Sequence, residues 1–139
     1  MSELAVIQDA QDFSQVDISK GYSSIKGNDL ETRKKVYTAV TNAASLGDNL
    51  GKTIQLVDII VQPVESVNEG TGMLEQYSRT TFIDAEGNAY AAGSDGVLTA
   101  TRTLLAVMGQ PSTWAAPLPV KVVEKKGNKG FKFYTVELA

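Results

Sequence analysis

Alternation between apolar and polar positions dominates the chain. Residues 52–64 (KTIQLVDIIVQPV) place branched side chains at Ile54, Val57, Ile59, Ile60, Val61 and Val64 and predict a strand. After a loop over 65–72, residues 73–84 (MLEQYSRTTFID) predict a second strand, and Glu86-Gly87-Asn88 a tight turn into a short third strand over 88–92. Residues 118–138 (LPVKVVEKKGNKGFKFYTVEL) hold two further alternating runs around a Lys/Gly/Asn turn, a β-hairpin pattern.

Helical spacing occurs twice. Asn28 or Asp29 suits an N-cap for a helix over about 30–44, with Val36, Tyr37, Val40 and Ala44 on one face and Gly47 and Gly51 in the turn beyond. Ser94 or Asp95 caps a second helix whose apolar face is Val97, Thr101, Leu104, Leu105 and Met108, and Gly109 closes it. The order strand, strand, strand, helix, strand, strand predicts a mainly β protein with a five-stranded OB-fold barrel (β-β-β-α-β-β). An SH3-like barrel lacks that helix, and a ferredoxin-like domain begins strand then helix. Residues 1–27 keep no period and are rich in Ser, Asp and Gln, so they predict an extended acidic arm, mobile or lying across the domain. The domain itself is expected over 28–139, with an additional N-terminal helix and the barrel over about 52–138.

Composition narrows the chemistry. With 139 residues the chain has room for one core. It holds neither Cys nor His, which removes disulfides, thiolate zinc sites, a Cys nucleophile and the usual neutral-pH base. No cofactor or metal is expected, and no enzymatic role: a nuclease would need clustered carboxylates, and only Asp58 and Asp84 come near such a placement. No basic start followed by an apolar run opens the chain, and no apolar stretch is long enough to span a bilayer, so an intracellular protein without membrane contact is expected.

The net charge is −3, but its distribution matters more. Lys121, Lys125, Lys126, Lys129 and Lys132 make the closing hairpin a basic island, beside Phe131, Phe133 and Tyr134. Cations neutralise phosphate and flat rings stack on unpaired bases, the combination that single-stranded nucleic acid requires. Strand parity puts Lys132, Tyr134, Val136 and Leu138 on one side and Phe131, Phe133, Thr135 and Glu137 on the other. Val136 and Leu138 require the core, so Tyr134 goes with them, and Phe131 and Phe133 become stacking candidates; the plainer alternative has them capping the barrel or meeting the arm. Lys121 and Lys132 lie within strands and suggest a phosphate track, whereas turn lysines are often merely solvated. On the second strand Tyr77 and Arg79 share a face and suit stacking plus phosphate contact, with core and edge roles as the alternative. Tyr90, Trp114 and Lys126 are further candidates, although a lone Trp in a Pro-rich loop often lids the core. Arg33, Lys34 and Lys35 read as a solvated helix face.

TTFIDAEGNAYAAGSDGVLTATRTLL (80–105) and PLPVKVVEKKGNKGFKFYTVEL (117–138), with LGDNLGKTIQLVDIIVQPVE (46–65), resemble the small single-stranded DNA-binding proteins of tailed phages infecting Gram-positive bacteria. The DxxGNxYxA and KVVxKxxxKGFKF hairpins carry the resemblance in order and spacing. It implies an OB-fold protein in the host cytoplasm that coats single strands during phage DNA replication or recombination, with little sequence preference. Its partner would be single-stranded DNA, with self-association or phage replication and recombination proteins as further partners. On this chain the contacts would fall on Lys121, Lys125, Lys129, Phe131, Lys132 and Phe133, with Tyr77 and Arg79 alongside. Bacterial single-stranded DNA-binding proteins end in an acidic recruiting tail, whereas this sequence ends Tyr134-Thr135-Val136-Glu137-Leu138-Ala139, so recruitment would fall to the acidic arm. The competing reading is an OB-fold protein–protein interaction module of a replication complex, with Phe131 and Phe133 as an apolar interface.

Overall fold

The computed structural model describes residues 18–127 and 132–139. Their strands are β1 (Tyr22–Ser23), β2 (Ala44–Ser45), β3 (Thr53–Val67), β4 (Leu74–Asp84), β5 (Ala89–Ala92), β6 (Leu118–Lys126) and β7 (Lys132–Leu138). The helices are α1 (Leu30–Thr41) and α2 (Asp95–Met108).

All seven strands join one curled, mixed sheet in the order β2-β5-β4-β3-β6-β7, with β1 added along β3. The architecture is mainly β and compatible with an OB-like fold. Two short strands stand beside those expected: β1 and β2, two residues each, have no periodicity to read. Among the described residues the path ends at β2 and β7 and is not closed by a ladder between them.

β3 and β4 pair antiparallel from Leu56↔Asp84 out to Val67↔Leu74, with a bulge between Leu56 and Asp58. The ladder thus takes in residues 65–67, expected as loop. The turn after β4 is built by Asp84, whose Oδ1 accepts from the backbone N–H groups of Glu86 and Asn88 at 2.9 and 2.8 Å. That carboxylate belongs to the turn. Asp58 accepts a hydrogen bond from Ser24 Oγ at 2.8 Å and pairs with Lys35 at 3.8 Å. Neither acid stands in a group of three or more metal-binding side chains among the described residues.

Inside the curl, Phe82, Ile54, Leu56, Ile59, Val120 and Val122 meet Val97, Leu104 and Leu105 of α2. Ser94 caps α2 by accepting from Val97 N, and Gly109 leaves it at φ 78°. A smaller cluster on the outer face joins Ile60 and Ile83 to Ala39, Val36 and Val40 of α1. Asp29 caps α1 through Thr32 N, and the helix stops at Thr41, short of the expected 44. Tyr37, expected on its packed face, is 69% exposed.

Residues 1–17 of the expected arm lie outside the described residues. The described remainder is part of the sheet, since Tyr22 and Ser23 pair with Val61 and Ile60 and Ile18 is fully buried. Burial first, and the Asp58 carboxylate second, push the Tyr22 phenol up to about 12. Folding therefore holds Tyr22 protonated, and this contribution to stability is complete below the ordinary tyrosine value near 10 and fades as pH rises toward about 12. In alkaline unfolding followed by circular dichroism, the unmodified chain is expected to lose stability across that window and Tyr22→Phe to lose less.

Candidate nucleic-acid interface

Among the described residues, three exposed aromatic side chains of the sheet each set the ring against a glycine. Tyr77 of β4 is 42% exposed, and a Cβ built on Gly93 would lie 2.9 Å from its Cε2. Tyr134 of β7 is 38% exposed and rests likewise on Gly47, at 2.9 Å. Phe133 is 40% exposed, and a Cβ on Gly96 would meet its Cδ2 at 3.1 Å and the Tyr134 carbonyl oxygen at 3.0 Å. In each case the absent side chain lets the ring approach the backbone closely.

The three seats are joined by short lengths of chain. Gly93 and Gly96 bracket the start of α2, and three residues span at most about 11 Å. Gly47 follows Ser45, which pairs in parallel with Ala91, two residues before Gly93. Between these segments Tyr77 and Arg79 line a groove of about 260 Å³ with Ala43–Ser45 and Ala91–Gly93. On the other side of Tyr77 a larger cleft of about 480 Å³ opens, where Lys20 and Arg102 supply cations and Glu65 and Asp95 acids.

The closing hairpin distributes its lysines on two faces. Lys125 stands opposite Phe133 and Lys121 opposite Glu137, whereas Lys126 stands opposite Lys132 on the face of Glu124 and Tyr134. Lys121 and Lys132 therefore do not form one track. Lys125 pairs with Glu137 at 2.7 Å and Lys132 with Glu124 at 4.0 Å. Exposed pairs of this kind are worth little in water, so a phosphate can replace the carboxylate at small cost. Lys129 and Phe131 lie outside the described residues.

Two candidates take other roles. Tyr90 is only 6% exposed; it faces Phe82 across the ladder, and its ring is covered by Lys52 Nζ at 5.7 Å from the centroid. Its face is not offered to a base. Trp114 packs against the core and donates from Nε1 to the Met108 carbonyl at 2.9 Å. Met108 and Gly96 are twelve residues apart on α2, so this contact lies about 18 Å from the seat of Phe133. Conversely, Tyr134 belongs with the exposed rings and not with the core. Parity does put it on the side of Val136, but Val136 meets the core while two residues earlier that side meets Gly47. The glycine seats, Lys20 and Arg102 had no local signal: a glycine before a helix reads as a turn whether or not a ring sits on it.

A curled, mainly β domain that displays rings, cations and a narrow groove together has the parts needed to hold an unpaired strand. The chain belongs to the phage single-stranded DNA-binding protein family: the family model described as Phage Single-stranded DNA-binding protein matches residues 17–139. The family is a non-enzymatic, single-stranded DNA-binding class, and it does not favour the interaction-module reading. Searches of curated proteins and of solved structures return no match. No helix among the described residues is long and apolar enough to cross a membrane.

Proposed function

We propose that this chain coats and protects single-stranded DNA during phage replication or recombination in the host cytoplasm, without choosing sequence, on a five-stranded OB barrel formed by β3 to β7. The observation that carries this reading is the set of three half-exposed rings, each backed by a glycine and facing solvent. A ring so held can stack on any base, because every base has a π-face. Bases would stack on Tyr77, Phe133 and Tyr134. Arg79 would take phosphate beside Tyr77, Lys126 and Lys132 on the Tyr134 side of the hairpin and Lys121 and Lys125 on the Phe133 side, and the sequence adds Lys129 and Phe131 at the hairpin turn. The strand order β5-β4-β3-β6-β7 supports the reading of an OB barrel laid open, and the groove beside β4 and β5 is where such barrels receive oligonucleotides.

Titration of fluorescently labelled oligo-dT, oligo-dC and duplex of equal length tests the reading. Oligo-dT and oligo-dC are expected to bind with similar affinity and far above duplex, and both to weaken linearly in log–log plots against salt. Equal affinity for duplex would sink it.

A further inference from the structure

The β3–β4 hairpin continues past its neighbours, and its end is unsuited to DNA. From Thr53 to Ser78 the sequence carries Asp58, Glu65, Glu69 and Glu75 and neither Lys nor Arg. Val67, Met73 and Leu74 there are 62, 66 and 58% exposed. The end is nevertheless hydrogen-bonded: Asn68 Oδ1 accepts from Gly70 N and Thr71 N at 2.8 and 3.2 Å, and Asn68 Nδ2 donates to Glu75 Oε2 at 3.1 Å. An acidic, apolar, structured surface repels phosphate and suits a protein.

A surface of opposite charge and similar apolarity lies on the outer face of α1. Leu30 and Tyr37, 59 and 69% exposed, flank Arg33 and Lys34 around a shallow groove of about 440 Å³; Lys34 pairs with Glu31 at 3.8 Å, an exposed pair of little worth in water that another carboxylate can replace. The packed face of this helix, Val36, Ala39 and Val40, is already spent on the sheet. One molecule cannot bring the two surfaces together. α1 packs over Ile60, and Val67 lies seven residues further along β3, about 23 Å away at the rise of a strand.

We propose that the two surfaces meet between copies: the acidic end of the β3–β4 hairpin docks on the basic, apolar face of α1 in the next molecule, head to tail along a bound strand. The inference rests on the single-stranded DNA reading above. A contact between two different surfaces extends into an open row when its rotation does not close, the form a long linear ligand demands. Tyr77 and Arg79 lie on β4 between Leu74, at the hairpin end, and Ile83, beneath α1, so each groove would fall between its molecule's two contacts. Each surface presents a handful of side chains, few beside the roughly 20–30 residues a side of a stable interface. The contact therefore forms where DNA holds neighbours at high effective concentration.

The absence of native cysteine makes a direct test available. Leu74→Cys and Tyr37→Cys chains, prepared separately and mixed under mild oxidation, are expected to form disulfide-linked pairs on long poly-dT. Neither free protein nor protein on oligo-dT too short for two copies should yield them. Leu74→Cys linking to itself as readily would indicate a symmetric contact and overturn the proposal; so would absence of linkage on poly-dT that remains saturated, which would turn the hairpin toward another protein. As a second readout, Arg33→Glu with Lys34→Glu is expected to weaken poly-dT binding roughly tenfold and leave short oligo-dT unchanged. Equal loss on both lengths would place α1 in the DNA site and overturn the contact. Failure of the unmodified chain to bind either length would instead remove the DNA reading on which the proposal stands.

Discussion

Alanine at both Tyr77 and Tyr134 is expected to weaken oligo-dT binding by about 1–3 kcal/mol for each ring, a factor of about five to 150 apiece. Both side chains are more than a third exposed, so truncation removes a stacking surface without opening the core. The cations are untouched, and the slope of log affinity against log salt should stay as it was. Fluorescence anisotropy at several salt concentrations separates the two effects. An unchanged affinity with both rings removed would move the bases to another part of the surface.

Phe82→Ala is expected to cost about 3–5 kcal/mol of folding stability. Against a total of about 5–15 kcal/mol for a typical domain, that is enough to leave the variant marginal. Phe82 is fully buried, faces Ile59 on one neighbour and Tyr90 on the other, and belongs to the cluster that receives α2. It is the largest of the fully buried side chains among the described residues, so its loss opens a wide gap between sheet and helix. Urea denaturation followed by Trp114 fluorescence measures it, because the indole packs on the same cluster. Phe82→Leu should lose less, since leucine fills part of the cavity. A loss below about 1 kcal/mol for the alanine variant would mean that this core collapses freely around the gap.

The long elements were legible because their side chains are sorted by burial. Ile54, Leu56, Ile59 and Val61 reach the core while Ile60 meets α1, and Val97, Thr101, Leu104 and Leu105 recur along one face of α2. Both caps were readable to within one residue, Asn28 or Asp29 and Ser94 or Asp95, for the same local reason: a short acceptor side chain before a helical run, which is Asp29 in one case and Ser94 in the other. β1 and β2 were invisible because two residues carry no period and each is held by a strand far along the chain. The ladder beyond Val64 was missed because both faces of it are open to water, so its sequence is polar and turn-like.

The site was harder to read than the fold. Tyr77, Arg79 and Phe133 could be picked out as ring and charge on a strand face. The separation of Lys121 from Lys132 required the register between β6 and β7, which the turn sequence alone does not give. Tyr90 looked equivalent to Tyr77 by type, yet its pairing with Phe82 turns it inward. Chain parity distinguishes sides; it does not say what stands on each side at a given height.

The glycines beneath Tyr77, Phe133 and Tyr134 bear on the entropy of binding. A ring leaning on backbone has fewer rotamers to lose when a base arrives, so less of the stacking energy is consumed in ordering the protein. Gly47, Gly93 and Gly96 would then set affinity without touching DNA at all, by deciding how still the rings are before the strand comes.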